Sequence, residues 1–189
     1  MKKYLKSAGI IPCLIISLCL ILMLMTCAVY YRNPSTGSTG NFYGQDVMYV
    51  YASTKTTWDS LLGYHTSLVR DEPSAAALVS FIFLSMSSVM LGIGAALPLF
   101  KNDKPVIRFS GILNIISMAL IFGAAIAITF VPRDWSYFTS GGWSDGVEFH
   151  LGGGYLTVCL LSFLASALCL PSIIACLKKP KAEQIQAQE

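Results

Sequence analysis

FSGILNIISMALIFGAAIAITFV, residues 109–131, is the stretch that decides the fold. It holds no Asp, Glu, Lys or Arg. A helix rises 1.5 Å per residue, so ~20 apolar residues cross a hydrocarbon core of ~30 Å. A charge at mid-bilayer costs roughly 2.5–3.5 kcal/mol on insertion scales, so a span needs their absence. Three other runs share this property, at about residues 8–30, 75–100 and 154–177. The chain is 54% hydrophobic and 12% charged. A soluble domain carries about 25% charged residues, so too little polar surface is present to cover a water-soluble globule. The expected fold class is an all-α membrane protein. It is a four-helix transmembrane bundle over residues 1–189, with a small extracellular β-prone first loop.

The first run opens with Met1, Lys2 and Lys3, as secretory signals do. Its apolar stretch of about 23 residues exceeds the roughly 7–15 of a signal core, so it reads as a span. Basic residues set the orientation, because cationic loops stay in the cytosol. With a cytosolic N-terminus, the inside holds Lys2, Lys3, Lys6, Lys101, Lys104, Arg108, Lys178, Lys179 and Lys181. The outside holds only Arg32, Lys55, Arg70 and Arg133. Both termini are therefore expected in the cytosol, with outer loops at about 31–74 and 132–153. The expected location is the plasma membrane. The basic clusters abut helix ends, which fits contact with anionic lipid and not with nucleic acid.

All six cysteines (Cys13, Cys19, Cys27, Cys159, Cys169 and Cys176) fall in the predicted spans. No disulfide is then expected between the outer loops. No C-x-x-C pair exists to hold zinc, and neither a metal nor a cofactor is expected. Cys176, beside Lys178 and Lys179, is a candidate for palmitoylation. The sequon Asn33-Pro34-Ser35 is blocked by its proline.

In the first outer loop, residues 33–41 are turn-rich. Val47-Met48-Tyr49-Val50-Tyr51 is β-branched and aromatic and predicts a strand. Residues 53–57 then lead to a second strand or a short helix carrying Trp58, Leu61, Leu62 and Tyr64. Tyr49, Tyr51 and Trp58, with Trp135 and Trp143 of the second outer loop, are candidate interaction residues. The same aromatics equally suit the headgroup zone. Glu148 and His150 share a strand face if that segment is extended. One carboxylate and one imidazole make no catalytic site, though His150 is a candidate pH sensor.

Small residues four apart let helices approach closely in lipid. Ser88, Gly92 and Ala96 form one such row in the second helix, and Ala119, Gly123 and Ala127 another in the third. Ser162 and Ser166 continue the theme in the fourth. Asn114 is the clearest polar group at depth and reads as interhelical glue. A single neutral amide without a charged partner is a poor ion or proton relay.

Four spans, a longer β-prone first outer loop, a short inner turn and a shorter second outer loop resemble the claudin, peripheral myelin protein and AMPA-receptor-regulatory superfamily. Arg70 stands before the second helix. Arg108-Phe109-Ser110-Gly111-Ile112-Leu113 looks like that superfamily's start of the third helix. Gly152-Gly153-Gly154-Tyr155-Leu156 looks like its start of the fourth. The resemblance implies a cell-contact or accessory role. The first loop has Trp58 but no Gly-Leu-Trp and no cysteine, so no pore residue follows from it.

The leading expectation is a non-enzymatic tetraspan protein that organises cell contacts or membrane assemblies, or acts as an accessory subunit. Its partners would be membrane lipid and a second copy or another membrane protein. A small channel or transporter is the alternative, and it needs a polar lining. A membrane enzyme needs a nucleophile, base and orienter, or a metal cluster, and no such motif is legible.

Overall fold

In the computed structural model, the described residues are 8–34, 37, 39–49, 51–59, 63–71, 73–100, 103–139 and 147–177. Side chains at 51–71 and 136–139 fall outside the description. The elements run α1 (Ile10–Met25), β1 (Cys27–Arg32), β2 (Thr39–Tyr43), α2 (Gly44–Met48), β3 (Tyr51–Asp59) and β4 (Gly63–Asp71). There follow α3 (Ala75–Phe100), α4 (Lys104–Thr129), α5 (Val131–Thr139), β5 (Glu148–Leu151) and α6 (Gly153–Leu177).

The fold is mostly helical. Among the described residues, three helices, α3, α4 and α6, are long and apolar enough to cross a membrane. α1 differs from the predicted span at 8–30. It has 16 residues, a rise of ~24 Å, which is short of the ~30 Å core. The Thr26 backbone N–H and hydroxyl both donate to the Leu22 carbonyl, at 3.0 and 2.6 Å. Cys27 to Tyr31 then leave the helix as β1, and β-branched and aromatic residues suit that pleated surface.

β1 is the centre of a three-stranded antiparallel sheet ordered β2-β1-β5. Tyr31 lies opposite Gly40 on one side and Phe149 on the other. Gly37, with φ +70°, serves the connection between β1 and β2, where the left-handed backbone excludes most side chains. β3 and β4 form a separate two-stranded ribbon, in register from Tyr51↔Asp71 to Asp59↔Gly63. The strand predicted at residues 47–51 is corrected. Val47 and Met48 are buried in the one-turn helix α2, and extended structure resumes at Tyr51. The Asp46 carboxylate accepts from the Tyr43 N–H at 3.0 Å. That bond fixes the start of the turn.

α4 begins at Lys104, before the expected 109, and Pro105 sits in its first turn, where a missing N–H costs nothing. α5 was not anticipated within the second outer loop. Its Asp134 carboxylate accepts from the Ser74 hydroxyl at 2.6 Å and the Ala76 N–H at 2.9 Å. Ser74 in turn accepts from the Ala77 N–H at 3.2 Å. A carboxylate and a hydroxyl thus cap the N-terminus of α3, satisfying donors that no helix can satisfy itself.

Burial along the long helices repeats every seven residues. In α3 the buried positions include Ala77, Ser80, Leu84, Ser87, Leu91, Gly94 and Pro98, with Ala95 beside the row. In α6 they include Tyr155, Val158, Ser162, Ala165, Cys169, Ser172 and Cys176. Steps of three and four give 3.5 residues per turn, the repeat of helices that coil left-handed about one another. The buried stripe is mostly Ser, Gly, Ala and Cys, whereas Ile112, Ile115, Ile116 and Phe122 of α4 are exposed. Small residues inside and large apolar ones outside suit helices that pack closely in lipid.

Contacts divide the chain into two compact units. The first comprises residues 1–19, 83–123 and 160–189, and the second 20–82 and 124–159.

Candidate functional site

The first unit is organised around Asn114, which α4 places at full burial. Its Nδ2 donates to the Ser172 hydroxyl of α6 at 2.9 Å. Its Oδ1 lies against Gly94 of α3, where an added Cβ would come within 2.7 Å, and near Gly9 before α1, at 3.5 Å. One side-chain amide therefore lies beside segments from all four long apolar stretches. Oδ1 has no hydrogen-bond partner among the described residues. One turn earlier, the Ser110 hydroxyl donates to the Gly94 carbonyl and lies 3.9 Å from the Cys176 sulfur. A Cβ at Gly111 would meet Cys176 Cβ at 3.1 Å.

These groups are neutral. Amide and hydroxyls can lock helices in one register, because an unmatched polar group in an apolar interior is costly. Other buried hydroxyls donate to carbonyls of their own helix: Ser80 to Ala76 at 2.7 Å, Ser87 to Phe83 at 2.7 Å and Ser117 to Leu113 at 2.8 Å. Such bonding lets a small polar residue face an apolar neighbour. Among the described residues, no three of His, Cys, Asp and Glu come together as metal ligands.

The small-residue rows are placed as follows. Ser88 faces α1, with its carbonyl 3.4 Å from the Cys13 sulfur and its hydroxyl 3.2 Å from that of Ser17. Gly92 lies beside the same cysteine, 3.9 Å from where its Cβ would stand. Ala96 is half-buried. Gly123 packs on the Phe83 ring, where a Cβ would make 3.3 Å contacts. Ala127 is half-buried, whereas Ala119 is exposed. Gly9, Gly94 and Ser172 were not singled out from the sequence. For Gly94 the signal is the seven-residue spacing of Ser80, Ser87 and Gly94, which a four-residue search does not sample. Cys176 is buried against Ser110 and Gly111. That placement removes it from the accessible surface that palmitoylation requires.

In the second unit, Trp135 is fully buried and meets the Phe42 ring edge-on at 5.4 Å. Tyr31 adds ring contacts with Phe42 at 5.7 Å and Phe149 at 6.4 Å. Trp135 is thus part of this unit's core, and not the surface residue expected. The opposite side of the sheet is polar, with Arg32, Thr39, Asn41, Glu148 and His150 exposed. His150 and Glu148 lie 3.5 Å apart on β5, and the His150 ring is 6.3 Å from that of Tyr30. Gly152 and Gly154 are required sterically. A Cβ on either would collide with the chain at Thr26 and Cys27. Tyr49 is 59% exposed. Tyr51 and Trp58 lie in β3, where Trp58 is in register with Tyr64. Trp143 lies outside the described residues.

No family model matches the chain, and no curated protein matches it in sequence.

Proposed function

We propose that this chain is a non-enzymatic four-span membrane protein that organises cell contacts or membrane assemblies, or serves as an accessory subunit. α1, α3, α4 and α6 are the spans, and both termini are cytosolic. Residues 27–71 and α5 with β5 form the outer parts. The excess of lysine and arginine at the chain ends and the inner turn supports that orientation. The layout supports a claudin-like arrangement, in which folded outer loops make the contacts.

The observation that carries the reading is the division of labour between polar groups. Inside the first unit, Asn114, Ser172, Ser110, Ser88 and Ser17 bond helix to helix. The second unit builds a sheet and a ribbon with exposed polar and aromatic positions and with strand edges that have no partner among the described residues. A rigid membrane part with an ordered outer part is what a contact-forming protein needs. The test is extraction in mild detergent, affinity capture and native mass determination. A defined oligomer or a stoichiometric partner supports the reading, and a lone monomer contradicts it.

A small channel is the second reading, favoured by the serine-rich buried faces. Bonds from Ser80, Ser87 and Ser117 to their own helices weigh against it, because such hydroxyls are already committed. Flux of ions or small solutes in reconstituted liposomes would establish it.

A further inference from the structure

We infer that the outer edge of β3 pairs with the same edge of a second copy of this chain, antiparallel, with Thr57 on the two-fold axis. The inference rests on the assembly reading above and names its contact.

β3 and β4 pair only with each other, so each keeps one edge without a ladder among the described residues. Half of the N–H and C=O groups of a nine-residue strand then point outward. A two-stranded ribbon alone is marginal in water, while a sheet of three or more strands is not. Natural edges are usually blunted by proline, bulges, shortness or a charged side chain, lysine above all, and of these β3 carries one, Lys55. β3 has no proline, and its register with β4 runs from 51 to 59 without a shift. By contrast, the β1–β2 pairing is interrupted between Cys27 and Val29. Edges of this kind are used for strand addition.

Charge placement selects the occupant and the register. Lys55 and Asp59 are the charged residues of β3. With Thr57 opposite itself, Lys55 falls opposite the partner's Asp59, and the two-fold repeats the match. Residues 55–59 then overlap, about the length of an ordinary strand. Centring the pair on Lys55 would overlap the whole strand but set lysine opposite lysine, which is destabilising. On β4, Arg70 and Asp71 stand at the strand's end, where pairing leaves no ladder.

The test uses the full chain in its native membrane. Thr57→Cys, Lys55→Cys and Ser53→Cys variants are oxidised with copper–phenanthroline and read on non-reducing gels, with the unsubstituted chain as background. Opposed residues in an antiparallel pair stand ~4.5–5.5 Å apart at Cα, within disulfide reach. Thr57→Cys should give covalent dimer at roughly five-fold the yield of the other two. Adding Lys55→Glu to Thr57→Cys should lower the yield roughly five-fold, and adding Asp59→Lys as well should restore it. Greater dimer from Lys55→Cys, equal yield at all positions, or indifference to charge reversal overturns the inference. Native mass of the same sample separates two failures. An oligomer without the Thr57→Cys dimer rejects this pairing and leaves the assembly reading standing; a monomer rejects both.

Discussion

Replacing Gly94 with Ala would set a methyl group 2.7 Å from Asn114 Oδ1. Carbon and oxygen do not approach so closely without repulsion, so either α3 shifts from α4 or the amide turns away. Overpacking of this kind costs about 1–3 kcal/mol. Turning the amide also stretches its 2.9 Å bond to Ser172, a bond of a type that contributes about 0.6–2 kcal/mol in membrane helices. Gly94→Ala should therefore destabilise by about 1–3 kcal/mol. Asn114→Ala alone should cost about 1–2 kcal/mol through the lost bond and the space it leaves. In the double variant the methyl has room, and the total should barely exceed that of Asn114→Ala alone. The cycle then shows coupling of about 1 kcal/mol or more. The assay is unfolding from mild-detergent micelles by titration with dodecyl sulfate, followed by circular dichroism. Additivity within about 0.5 kcal/mol would refute the contact and the role given to Asn114.

Gly123→Leu should destabilise by about 1–3 kcal/mol in the same titration, because the new side chain enters the space of the Phe83 ring. Ala119→Leu, one turn away on an exposed position, should stay within about 0.5 kcal/mol. Asp134→Ala removes the acceptor that caps α3 and should cost about 0.5–2 kcal/mol, read as a lowered detergent melting temperature. Burial pushes the Cys27 thiol above its usual range. Its thiolate fraction is then depressed near neutral pH, so maleimide labelling should lag that of an unfolded control and accelerate as pH rises.

Hydropathy marks where the long helices lie, because lipid requires apolar side chains on every outward face. For the same reason it says little about which face turns inward. Size and polarity carry that information: Ser80, Ser87 and Gly94 point in, while Ile112, Ile115 and Phe122 point out. Four-residue spacing selected rows beside the true stripe. Ser88 and Gly92 still met α1, one helix over, but Ala119 came out exposed. Asn114 was legible as glue because an amide has few other uses at that depth. Its partners were not, since Gly94 shows only in a seven-residue series with Ser80 and Ser87, and Gly9 and Ser172 have nothing local to mark them.

The first apolar run misled at its end. Val29, Tyr30 and Tyr31 are as compatible with a span as with a strand, and only pairing with β2 and β5 decides for the strand. The buried Trp135 was illegible for a related reason. An aromatic residue next to a predicted span suits the headgroup zone as well as a small core, and only the position of Phe42 settles it. Residues 47–51 have β-forming composition, yet the Asp46 cap and the burial of Val47 and Met48 turn the first part into a helix. Tertiary contacts override such local preferences.

Assembly with other proteins through the outer parts is the function proposed for this chain. Native mass determination on protein captured gently from its own membrane tests it most directly. A defined oligomer or a complex of fixed stoichiometry is the expected result. A monomer that conducts ions or solutes once placed in liposomes would contradict it.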